Sequence, residues 1–222
     1  MIKQRLKFLI IIFSFPVFCF SQANQLDAQG RRHGYWKVNF EGTSDPKFEG
    51  NFEHGEERGI FKFYKKGFYD HPSAIMNFEE GKDSVQVTYY TQKGKAISEG
   101  KVVDRKREGK WVYYHQKSDS LMMIEMYKND KLNGLQKTFF PNGQIAEKTN
   151  YKDGLKQGES LIYTKKGQVT KHLNYQNGEL HGKAIYYDPK GEKIMEGWYT
   201  EGKKSGTWKY YTDGKLDREE DY

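Results

Sequence analysis

From residue 31 onward, hydrophobic and aromatic side chains come in short groups separated by polar turns. Gly109-Lys110-Trp111-Val112-Tyr113-Tyr114 is one such group. Similar groups open at Gly34, Gly59, Gly134, Gly158, Gly182 and Gly206, so successive openings lie 25, 50, 25, 24, 24 and 24 residues apart. The gap of 50 predicts a further unit near position 84, where Ser84 opens Val85-Gln86-Val87-Thr88-Tyr89-Tyr90. Eight units then tile residues 31–222, behind a short segment over 22–30. A period of this length marks an array in which each unit is stable only beside its neighbours.

Within a unit the order is constant. In residues 182–202 a first strand ends in Tyr186-Tyr187, a turn closes on Gly191, a second strand carries Ile194, Glu196 and Tyr199, and a second turn runs through Gly202. Asn142-Gly143, Asp153-Gly154, Asn177-Gly178 and Asp213-Gly214 fill equivalent turns elsewhere. Such pairs favour tight hairpins, because glycine takes a positive φ at low steric cost. The expectation is an all-β fold: an elongated, twisted single antiparallel sheet of tandem hairpins.

Aromatic places recur in register. Two residues after the opening lie Trp36, Phe61, Trp111 and Trp208; four after lie Phe63, Tyr113, Tyr186 and Tyr210; five after lie Tyr64, Tyr89, Tyr114, Phe139, Tyr163, Tyr187 and Tyr211. On a strand the second and fourth places share one face and the fifth takes the other. A one-layer sheet leaves some rings uncovered, so Trp36, Phe61, Trp111, Tyr113, Tyr186, Trp208 and Tyr210 are the candidate binding surface. The competing role for the same rings is to hold the sheet together.

The pattern Gly-x-Trp-x-Tyr-Tyr, a turn Gly, then Glu-x-x-Tyr and a second Gly resembles the MORN repeat, in the bacterial form often grouped as a YwqK-type antitoxin repeat. The resemblance covers nearly all of residues 31–222. It implies hairpins laid side by side in one curved sheet. Three units depart from it: the second carries Gly67-Phe68-Tyr69-Asp70-His71-Pro72, the third lacks its opening Gly, and the fourth has Lys117-Ser118-Asp119-Ser120 in its first turn. Register shifts or longer loops are expected there.

Composition supports this reading. Only 36% of residues are hydrophobic, yet 16% are aromatic, and the chain holds 23 Gly against 5 Pro. That suits short strands and tight turns. The N-terminus reads as an export signal: Lys3, Arg5 and Lys7 precede the apolar stretch Phe8–Phe20, with a cut after Ser21 that leaves Gln22 first. Cys19 sits behind Phe18 rather than a small residue, which argues against lipid attachment. Removing residues 1–21 takes away the single Cys and three of 37 basic residues, so 34 face 30 acids and the net charge falls from +7 to +4. That balance disfavours nucleic acid as a partner.

No catalytic constellation is legible. The histidines His33, His54, His71, His115, His172 and His181 lack zinc-helix spacing. Asn129-Asp130-Lys131-Leu132-Asn133-Gly134 fails as a calcium loop, with Lys131 at a ligand place and Phe140 where a Glu is needed. Glu99, Glu125, Glu147, Glu196 and Glu219 fall at similar places in second strands, with Lys171 replacing the acid in the sixth unit. They read either as a carboxylate row for a basic partner or cation, or as cross-strand partners of Lys. No metal or other cofactor is implied. The expectation is an exported, non-enzymatic scaffold binding a protein in the bacterial envelope. Glycan or cell-wall binding through Tyr and Trp is the alternative, and membrane-surface or antitoxin-like roles stand behind it.

Overall fold

The computed structural model of the chain describes residues 23–67 and 70–222. The leader expected over residues 1–21, with its cut between Ser21 and Gln22, lies outside the described residues, as do Phe68 and Tyr69. The described residues form one open antiparallel sheet and no helix. A short β1 (Gln25–Leu26) lies on β2 (Arg32–Asn39), which turns into β3 (Pro46–Glu53). β4 (Glu56–Phe63) and β5 (Ala74–Phe78) make the second hairpin, β6 (Ser84–Tyr90) and β7 (Ala96–Val103) the third. β8 (Lys106–Tyr114) and β9 (Leu121–Lys128) make the fourth. β10 (Lys131–Leu132) leads into β11 (Gly134–Phe139), which pairs with β12 (Ile145–Lys152). β13 (Leu155–Tyr163) and β14 (Val169–Gln176) are the sixth pair. β15 (Glu179–Leu180) leads into β16 (Gly182–Tyr187), which pairs with β17 (Lys193–Thr200). β18 (Lys203–Thr212) and β19 (Lys215–Asp221) close the array. At about 4.8 Å per strand, its sixteen long strands span roughly 75 Å.

Cross-strand pairing, continued across the bulges at the unit boundaries, defines one row of side chains along the middle of the sheet. It runs Trp36, Gly50, Phe61, Met76, Val87, Gly100, Trp111 and Glu125, then on through Gln136, Thr149, Ser160, Leu173, Ala184, Gly197, Trp208 and Glu220. Nearly all the buried side chains lie on this face or in this row. With no second layer, the face buries itself by packing side chains flat against one another. Val87, Trp111 and Tyr127 form one cluster, and Leu173, Ala184 and Trp208 another. Between them the row turns polar and satisfies itself. Gln136 Nε2 donates to Glu125 Oε1 at 2.7 Å, Tyr127 donates to Glu125 Oε2 at 2.6 Å, and Thr149 and Ser160 hydroxyls bond at 2.7 Å.

Most unit boundaries contain a bulge at the opening glycine. Gly100 faces Trp111 while Lys101 faces Glu108, so Gly109 and Lys110 are extra residues relative to β7. Gly109 takes φ 69°, a conformation that a Cβ disfavours.

The third unit corrects the frame expected from Ser84. Met76 faces Val87 with no bulge between β5 and β6, so Val85 occupies the opening-glycine place and Ser84 precedes it. Consequently Tyr89 lies on the face of the central row, and Tyr90 takes the place of Tyr64 and Tyr114. The cause is the long connection over residues 64–73, which puts Met76 fifteen residues after Phe61, where Glu125 follows Trp111 by fourteen. Val85 is β-branched and resists positive φ, so the pairing stays straight and the turn before it widens.

Candidate binding face

The buried rings are seated by glycines one strand away. Phe61 lies over Gly50, Trp111 over Gly100 and Trp208 over Gly197, so closely that a Cβ on any of these glycines would collide with the ring. Each of the three glycines follows a glutamate, which points to the opposite face. There Tyr64 donates to Glu49 at 2.9 Å, Tyr114 to Glu99 at 2.7 Å and Tyr211 to Glu196 at 2.6 Å. A Glu-Gly pair thus fastens the next unit from both sides, with a ring on one face and a phenol on the other. The signal is visible in the chain at 49–50, 99–100 and 196–197.

The electrostatics follow from these contacts. Burial, with the hydrogen bond to Glu49, raises the Tyr64 phenol to about 12. The hydrogen bond to Glu99, with burial, does the same for Tyr114. Hydrogen bonds from Lys193 and Tyr211 hold the Glu196 carboxyl at about 2, against burial, which pulls it upward. These are structural acids with committed partners.

The acids anticipated as one row divide between the faces. Glu99, Glu196 and Glu219 lie opposite the central row, whereas Glu125 stands in that row and Glu147 beside it, donor-bonded by Thr149 at 2.7 Å. Glu125 faces Trp111 from one side as Gly100 does from the other, one place beyond that of Glu99. Adjacent strand residues point to opposite faces, so this offset of one residue puts the two acids on different sides. The five acids form no single carboxylate row.

The seven candidate rings are all on the central-row face, but three are core. Trp208 is 0% exposed, Phe61 1% and Trp111 3%, so they offer no surface to a ligand. Trp36, Tyr113, Tyr186 and Tyr210 are half-buried around them. Tyr186 bonds Tyr199, and Tyr210 bonds Lys204 and Tyr222. Packing of neighbouring rings and lysine stems substitutes for the missing layer.

Two other places are open. The first is a trough of about 540 Å³ on the same face, lined by Phe63, Met76, Phe78, Val85, Val87, Tyr89 and Val102, with Glu57, Asp104 and Arg105 at one end. It arises because Met76 and Val87 occupy the central row between Phe61 and Trp111, where no ring rises. The second is Trp198, on the opposite face and 55% exposed, beside a shallow cleft lined by Lys183, Glu196, Thr207, Lys209 and Tyr211. Trp198 escapes the ring pattern because it sits one residue beyond Gly197, in the second strand.

Among the described residues, no three of His, Cys, Asp and Glu gather as a metal would require. His172 bonds Glu159 at 2.8 Å, and His54 bonds Asp27 at 2.9 Å, where Asp27 also holds Arg31.

No family model matches this chain, and no curated protein is similar to it.

Proposed function

We propose that this is an exported, non-catalytic binding protein of the bacterial envelope, which docks a protein partner in the apolar trough between Phe61 and Trp111. The observation that carries the reading is the trough. Leu26 and Tyr222 are exposed singly at the two ends of this face, whereas Phe63, Met76, Phe78, Val85 and Val102 together line one continuous open apolar concavity, where Met76 and Val87 stand in the row in place of rings. Unpartnered apolar surface of this kind on a rigid sheet suits macromolecular recognition. The MORN-like pattern and the leader-like N-terminus agree with an exported scaffold. The test is a photo-crosslinking residue placed at Val85 and, as a control, at Asn150 on the other face. In native envelopes, adducts with the same protein from position 85 and none from position 150 are expected; equal labelling from both positions overturns the reading.

A second reading rests on Trp198. An exposed indole flanked by Lys183, Thr207 and Tyr211 is a suitable platform for a pyranose ring, which stacks apolar C–H groups on the aromatic face. Glycan-array binding that disappears in Trp198→Ala would favour it over the trough; absence of binding to any glycan removes it.

A further inference from the structure

The trough is apolar along its length but charged at its mouth, and the charges are uncommitted. Neighbouring acids on the same rim are paired: Glu53 and Glu56 with Arg58 at 3.2 and 2.6 Å, Glu79 with Lys82, and Asp130 with Arg107 at 2.5 Å. Glu57 and Asp104, both exposed at the trough, have no ion-pair or hydrogen-bond partner among the described residues. Glu80 and Asp83, on the adjoining turn, are in the same position. Arg105 is the one cation in the lining, so two free carboxylates there face one guanidinium. The mouth is negative on a chain whose formal charge is +7.

The turn that presents Asp104 and Arg105 is itself unusual. Asp104 and Arg105 connect β7 and β8 with φ of 48° and 63°, the left-handed pair that a tight hairpin requires. His54-Gly55, Asp153-Gly154, Asn177-Gly178 and Glu201-Gly202 make the corresponding turns with glycine second. Asn129-Asp130 is the other exception, and there Asp130 is held by Arg107. At the trough, Arg105 holds a glycine position with no side-chain hydrogen bond or ion pair among the described residues.

We infer that the trough receives an apolar protein segment carrying Lys or Arg beside its buried side chains, with Glu57 and Asp104 as the counter-charges. This rests on the reading of the trough as a protein-docking site and specifies its partner. From Tyr89 to Val85 the floor spans five residues, roughly 13 Å from end to end, which holds two or three apolar side chains. A basic flank then reaches the mouth, where complementary charge sets orientation and excludes acidic competitors.

The test uses the full chain and two fluorescein-labelled synthetic peptides with the same Leu and Phe residues, one flanked by Lys and one by Glu. Fluorescence anisotropy should show the Lys peptide binding at least about tenfold more tightly. That preference should shrink to about twofold in Glu57→Gln/Asp104→Asn and at about 0.5 M salt. Val87→Trp, which fills the trough, should abolish binding of both peptides. Val85→Arg serves the same purpose if the Trp variant does not fold. Equal binding of the two peptides, lost on filling the trough, overturns the charge assignment and leaves protein docking intact. Binding by neither peptide, or binding indifferent to both trough variants, overturns the assignment and the docking site together.

Discussion

At the scale of single residues, the sheet is held by rings laid on glycines. Gly197 has an ordinary backbone, so its requirement comes from contact with Trp208 and not from conformation. Gly197→Ala should cost about 1–3 kcal/mol by overpacking. Urea denaturation should show its effect strongly non-additive with that of Trp208→Ala, because the second change removes the clash. Independent, additive losses would refute the ring-on-glycine account. Trp198→Ala, on an exposed ring, should change stability by less than about 0.5 kcal/mol, against about 3–5 kcal/mol for Trp208→Ala. Glu196 contributes to the acid side of the stability profile, as do Glu49 and Asp130, whose carboxyls are also lowered. Its folded carboxyl is held at about 2 against an ordinary 4.5, so its contribution is complete above the ordinary value and is lost as pH falls toward 2. Glu196→Gln should flatten that part of the curve in denaturation runs at stepped pH. Tyr64 and Tyr114 act in the opposite direction. Raised from 10 to about 12, they stabilise below pH 10 and lose that contribution as pH climbs through 12.

At the scale of strands, the unit boundary is a bulge built on an opening glycine, and β5–β6 is the boundary that lacks one. Gly109→Ala should therefore cost about 1–2 kcal/mol, since the residue must hold a left-handed conformation. Ser84→Ala should stay within about 0.5 kcal/mol, because no bulge depends on it. Thermal melts of the two variants would decide; equal losses would mean that Ser84 is the true unit opening. The two edges of the sheet are also managed differently. β1 covers part of β2, with Asn24 accepting from the Lys37 amide at 2.8 Å. β19 instead carries Asp217, Glu219, Glu220 and Asp221, and charge on an edge strand discourages further pairing.

At the scale of the molecule, each hairpin touches its neighbours and little else, so the array is close to one-dimensional. Removing residues 134–157, one full period, would bring Glu125 against Ser160 and keep the polar stretch of the row hydrogen-bonded. The shortened protein should fold cooperatively, with a denaturant m-value lower by about an eighth. Circular dichroism of a chain that fails to fold would show that stability is shared over longer distances. The trough belongs to this scale as well. It is a gap in the periodic filling of one face, created where a unit with a longer loop and no opening glycine enters the array.

Strand spacing, turn positions and the all-β architecture were legible in the chain because each depends on residues a few positions apart. The recurring opening places, spaced 24 or 25 residues apart, locate the hairpins, including the one inside the gap of 50 residues, and Asn-Gly and Asp-Gly turns mark those of the C-terminal half. Where each side chain points was not legible from local pattern alone. Side chains alternate every residue, so one extra residue in the 64–73 connection moves Tyr89 to one face and Tyr90 to the other. The same parity separates Glu125 from Glu99. Burial, too, was decided between units. Trp111 and Trp208 look alike to Trp198 as letters, but only a facing glycine on the neighbouring strand allows an indole to lie flat and disappear from solvent. That partner is eleven residues away in sequence and directly opposite in the sheet, and pairing across strands is what only the tertiary structure supplies.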